Sequence, residues 1–136
     1  MKVKISFMVL KAVDDEIQSL SDESLMYFKK MLERINTYNL SLDEWLRMKI
    51  LERLENFRFE EYEITLYEMR AHKGKGSHKN VRAILCGIEK GEKAKFEKIL
   101  YVVKVWKKDK QKITRKIMDV ARKRAKEMIK VIFEKD

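Results

Sequence analysis

The sequence predicts an α+β domain, on three observations. Apolar residues fall on alternate positions near the N-terminus, at helical spacing from about Asp14 to Leu54, and on alternate positions again in three runs after Phe59. The connections between those later runs are short, polar and glycine-bearing, as in an antiparallel meander. The chain then closes on an amphipathic basic helix. The expected architecture is an N-terminal strand and helices packed on a small twisted antiparallel sheet, followed by a basic C-terminal helix, in the order β-α-α-β-β-β-α. Its 136 residues, 45% of them hydrophobic, suit one domain spanning 1–136 with a real core.

Each element has its own warrant. "KVKISFMVL" sets Val3, Ile5, Phe7 and Val9 on one side of a strand. Ile17, Leu20, Leu25, Phe28, Leu32 and Ile35 form a helical stripe, and "SDES" within it offers a fresh N-cap that would split it into a short helix and a longer one. "SLDE" from Ser41 to Glu44 is a capping box. It opens a helix expected to carry Trp45, Met48, Ile50 or Leu51, and Leu54 on one face. "ITLYEMRAH", "NVRAILCGIE" and "KFEKILYVVKVW" read as three strands, with Tyr67 and Met69 on one face and Glu68 and Arg70 on the other. From about Ile113 to Phe133, Ile117, Val120, Ala121, Met128 and Ile132 share a face opposite Lys and Arg.

Charge narrows the function. Residues 1–64 carry 10 Lys/Arg against 13 Asp/Glu, a net of −3, whereas residues 65–136 carry 22 against 9, a net of +13. A lysine-rich solvated surface would explain the abundance of cations but not this polarisation, so a polyanion is the expected partner, nucleic acid before an acidic protein. No apolar run approaches the length of a bilayer span, and "MKVKISFMVLKAVDDE" lacks the form of a signal peptide. The single cysteine, Cys86, rules out an internal disulfide. The expectation is a cytoplasmic protein with no membrane partner.

Several motifs carry little. "GKGS" at Gly74–Ser77 has glycines too close for a phosphate-binding loop and precedes a strand, so it reads as a hairpin turn. His72 and His78 flank that turn without a cysteine or carboxylate cluster, which makes no zinc site, and they read as exposed. Cys86 in "AILCG" reads as core. The basic half shows no paired acids on a common face, which argues against a two-metal nuclease, and no metal or other cofactor is expected.

What remains is cations mounted on strands: Arg70, Arg82, Lys104, Lys107 and Lys108. Such residues on neighbouring strands can converge at one end of a sheet. "YEMR", "VRAIL" and "ILYVVKVWKKDKQKITRKIMDVARKR" together resemble the RelE/HigB branch of the RelE/ParE toxin superfamily, the toxins of type II toxin–antitoxin systems. There a strand ending Glu-Leu-Arg precedes one with Tyr-Arg-Val, then one ending in an aromatic and two lysines, then a helix with Ile, Ala and Arg/Lys at fixed spacing. The resemblance spans residues 66–126, with Met69 where leucine is usual and Val81 where an aromatic is common.

The resemblance implies a metal-independent endoribonuclease that cleaves mRNA, commonly at the ribosome, and is held inactive by a cognate antitoxin. The ribose 2′-hydroxyl would attack the adjacent phosphorus and expel the 5′-oxygen. Arg82 would stabilise the scissile phosphate, Lys107 or Lys108 would carry protons or clamp charge, and Arg70 would support the phosphate. Trp106 would stack on a base or fill the sheet core. Lys104, Lys110, Lys112, Arg115, Lys116, Arg122, Lys123 and Arg124 would grip RNA phosphates, of mRNA and ribosomal RNA. Two other readings fit the same features: a non-catalytic nucleic-acid-binding protein, and a gyrase-inhibiting toxin of the same superfamily.

Overall fold

The computed structural model describes residues 4–37, 40–70, 81–90, 97–107 and 113–133. Strand β1 (Lys4–Val9) leads through a 3-10 turn (Lys11–Val13) into helices α1 (Asp14–Gln18), α2 (Asp22–Thr37) and α3 (Leu42–Arg47). Four strands follow: β2 (Leu51–Phe59), β3 (Tyr62–Arg70), β4 (Val81–Lys90) and β5 (Glu97–Lys107). Helix α4 (Arg115–Met128) ends in a π turn (Ile129–Phe133). The five strands form one sheet in the order β1-β5-β4-β3-β2. The α+β class is as the sequence predicts, and the three expected meander strands are present.

Two expectations are corrected. The sheet is mixed, because β1 pairs with β5 in parallel, Phe7 opposite Leu100. These strands are remote in sequence, so no short connection dictates their direction. The second correction is an additional strand, β2, where the third helix was expected to run on to Leu54. Helix α3 stops after one and a half turns, with Lys49 in the left-handed region (φ 61°). The Ile50 N–H donates to Trp45 O at 3.2 Å and the Lys49 N–H to Leu46 O at 3.1 Å, the paired bonds of a Schellman ending. That ending usually recruits glycine, and a lysine there carries a strain of about 1 kcal/mol. Lys49→Gly is accordingly expected to leave the fold unchanged and raise stability by up to about 1 kcal/mol, read by thermal denaturation.

Other local signals behave as the sequence suggests. Ser21 Oγ accepts the Ser24 N–H at 3.2 Å and so separates α2 from α1. The Ser41–Glu44 capping box is complete: the Glu44 N–H donates to Ser41 Oγ at 3.3 Å, and the Ser41 N–H to Glu44 Oε1 at 3.4 Å.

Helices cover both faces of the sheet. On one side Val13, Phe28, Met31, Leu42 and Trp45 pack on Leu51, Tyr67, Met69, Ala83, Leu85 and Val102. On the other, Ala121, Ala125, Met128 and Ile129 pack on Ile64, Leu66, Ile84, Cys86 and Val103. The small side chains at 121 and 125, one turn apart, let α4 approach the sheet closely. Each large apolar side chain fully buried here contributes roughly 1.5–3 kcal/mol. Alternation along β4 thus sends Val81, Ala83 and Leu85 to the α1–α3 side and Arg82, Ile84 and Cys86 to the α4 side.

Candidate nucleic-acid interface

The strand register gathers some of the sequence-predicted residues and separates others. Arg70 of β3 stands opposite Arg82 of β4, and Arg82 stands opposite Trp106 of β5. These three positions form one row across the sheet on the α4 side. Trp106 is partly buried and packs against the core beneath α4, so it has core contacts and some exposed surface. Lys107 is paired with Val81, whose side chain belongs to the opposite core. The pleat therefore turns the exposed Lys107 away from Arg82, although both sit at the same end of the sheet. Lys108, Lys110, Lys112, His72, His78 and the "GKGS" turn lie outside the described residues.

Helix α4 brings more cations to this end. Arg122 meets Glu55 of β2, with Nη2 to Oε2 at 2.8 Å and Nε to Oε1 as a second bond. One turn later the Lys126 ammonium lies 5.9 Å from the Phe57 ring centroid and 5.8 Å from that of Phe59, and Lys130 lies 5.8 Å from Phe59. Along α4, then, contacts advance along β2 in the same direction. The N-terminal turn of α4 must therefore lie toward Leu51, which pairs with Met69 beside Arg70. Thr114 caps that turn, its Oγ1 accepting the Ile117 N–H at 3.2 Å. Exposed Arg115 and Lys116, with the positive end of the helix dipole, thus face the end that carries Arg70, Arg82 and Trp106.

Among the described residues, four of the cations expected to grip RNA have acidic partners within the chain. Arg122 is held by Glu55, whose carboxyl that hydrogen bond keeps below its ordinary pKa despite partial burial. Lys104 and Arg124 converge on Glu16 of α1, at 2.9 and 2.8 Å. Glu16 also accepts the Val105 N–H at 3.0 Å, and Arg124 donates to Val103 O at 3.0 Å. Strand β1 ends opposite Val102, so the outer edge of β5 beyond it is closed by this carboxylate and guanidinium instead of a strand. Burial alone would raise the Glu16 carboxyl, but the bonds from Val105, Lys104 and Arg124 outweigh it and hold it below its usual value. Exposed Lys123 lies 3.9 Å from Glu127.

A groove of about 330 Å³ opens between α4 and Phe59, lined by Asp119, Arg122, Lys123, Lys126, Glu127 and Lys130. It extends the basic face to Lys126 and Lys130, which sequence reasoning left out. Their spacing of four was the signal, but only β2 beneath them supplies the aromatic floor.

Sequence reasoning also missed two acids. With β2 in the sheet, Glu52 stands opposite Glu68, and Glu68 opposite Ile84, one row behind the arginines. No cluster of three or more His, Cys, Asp or Glu that could hold a metal occurs among the described residues. No helix of the described residues is long and apolar enough to cross a membrane. Neither a protein-family model nor a curated protein matches this chain.

Proposed function

We propose that the chain is an RNA-directed toxin of the RelE/HigB kind, which cleaves mRNA without a metal, at the ribosome, and is restrained by an antitoxin. The observation that carries this reading is the row Arg70–Arg82–Trp106, with the capped and basic N-terminus of α4 at the same end of the sheet. Two arginines side by side can hold the non-bridging oxygens of a phosphate, and the indole beside them offers a stacking surface for a base. Because both sheet faces are covered by helices, RNA approaches the end of the sheet and not its open face. In the reaction the 2′-oxygen bonds to phosphorus, the bond to the 5′-oxygen breaks, and Arg82 meets the charge that accumulates on the phosphorane.

The cytoplasm and a translating ribosome supply the setting, and an antitoxin segment with acidic side chains covers the same cations before RNA does. Induced expression with primer extension on abundant transcripts tests the reading. New breaks within coding regions, ending in 2′,3′-cyclic phosphate and 5′-hydroxyl, support it; growth without breaks from folded protein overturns cleavage. A second reading draws on Lys107, which the pleat directs away from Arg82. A protein that binds nucleic acid without cutting it needs no proton carrier beside the arginines, and would give salt-dependent RNA binding with no product.

A further inference from the structure

The cations of α4 and its π turn fall into two groups. Arg122 is bonded to Glu55 and Asp119, Arg124 to Glu16, and Lys123 lies beside Glu127. Arg115, Lys116, Lys126 and Lys130 are exposed, and among the described residues no carboxylate stands within ion-pair distance of them. Lys126 and Lys130 are nevertheless held in place, by rings. The Lys126 ammonium lies 5.9 Å from the Phe57 centroid and 5.8 Å from that of Phe59, and the Lys130 ammonium lies 5.8 Å from the same Phe59 centroid. A carboxylate neutralises the cation it holds, whereas a ring attracts it through its quadrupole and leaves the full charge for a ligand. Two ammoniums on one ring also repel each other, and an anion between them relieves that repulsion. The groove of about 330 Å³ gives such an anion room. Both acids on its wall, Asp119 and Glu127, already face Arg122 and Lys123.

We infer that Lys126 and Lys130, mounted on Phe57 and Phe59, form a second RNA contact, which takes backbone phosphates several nucleotides away from the phosphate at Arg82. This deepens the RNA-directed reading given above and rests on it. Arg115 and Lys116 stand at the end of α4 that faces the arginine row, and Lys126 follows Arg115 by eleven residues, about 17 Å along the helix. A strand with a charge on every unit meets both unpartnered groups at once, which favours RNA over a protein carrying a few acids. Ammoniums are point charges, so the groove holds the strand without reading its bases.

The test is an anisotropy titration of labelled single-stranded RNA, about twelve nucleotides long, over a salt series. Lys126→Gln/Lys130→Gln should bind more weakly, with a salt slope lower by about 1.4, the value for two single-strand phosphate contacts. Lys126→Arg/Lys130→Arg keeps both charges and the ring contacts and should restore the slope. Cleavage at saturating RNA should keep its rate in both variants, because neither lysine touches the reacting phosphate. An unchanged slope in the glutamine variant overturns the inference and leaves the groove to an acidic segment of a partner protein. A loss that arginine does not repair overturns it as well.

The two readings fail separately. If the wild type binds RNA and the glutamine variant shows the lower slope, yet nothing is cut, the nuclease reading falls and the second contact stands. If cleavage is intact and the slopes agree, the second contact falls alone. A wild type that binds no RNA overturns both. Phe59→Leu separates ring from lysine: affinity should fall by about two- to fivefold at an unchanged slope, since the charges remain while their anchorage is lost. Unchanged affinity in that variant overturns the part given to the ring.

Discussion

Replacing Arg82 with alanine is expected to lower the rate of RNA cleavage by about a hundredfold or more, the usual effect of losing one donor that meets developing transition-state charge. Arg82→Lys should recover only a small part of that rate. A lysine ammonium is a point charge and cannot bridge two phosphate oxygens, whereas it keeps the positive charge at that position. The pair of substitutions therefore separates chemistry from folding. Single-turnover cleavage of labelled RNA in a translating extract measures both, with melting temperature as the control on the fold. Because Arg82 stands between Arg70 and Trp106 in the register, the loss should fall mainly on the chemical step in Arg82→Lys, with weaker binding added in Arg82→Ala. Full cleavage by Arg82→Ala would show that the row is not the reacting centre.

How far the sequence discloses this arrangement depends on what marks each boundary. Strands β3, β4 and β5 are legible because alternation and glycine-bearing connections coincide, and the capping box announces α3. Strand β2 is not. Its two ends are turned by residues that seldom take left-handed backbone, Lys49 (φ 61°) before it and Glu60 (φ 55°) after it. The hairpin to β3 has a two-residue connection, with Phe59 paired to Tyr62, yet shows none of the Asn-Gly or Gly-X signatures of such turns. Without those signals Ile50, Leu51 and Leu54 extend a helical stripe as well as they begin a strand. Missing β2 also hid Glu52 and Glu55, the acids that stand opposite Glu68 and that hold Arg122. The cations at the strand ends were visible, but which of them share a face was not. The β-bulge between β4 and β5, where Ile84 pairs with Lys104 and Leu85 with Val102, sets that assignment and leaves no compositional trace.

Glu16 was invisible for another reason, since it acts across the whole chain, on Val105 and Arg124. Its replacement by glutamine is expected to cost about 2–4 kcal/mol at neutral pH, because two cations and the edge of β5 lose a common partner whose side chain is only 17% exposed. The melting temperature should fall by several degrees. The pH dependence identifies the cause. Glu16 has a folded pKa below its ordinary value of 4.5, so the stability it supplies is complete above about pH 4.5 and disappears as pH falls through the lower folded value. Wild type and Glu16→Gln should therefore differ most at neutral pH and converge in strong acid; a gap constant down to pH 2 would mean that packing, not charge, ties α1 to β5. The same variant tests whether Lys104 and Arg124 serve RNA. Arg124 keeps its bond to Val103 O when Glu16 is neutralised, and Lys104 remains at the sheet edge. The salt dependence of RNA binding should then be unchanged while stability falls. A slope steeper by about two would show that Glu16 withholds two cations that RNA can otherwise reach.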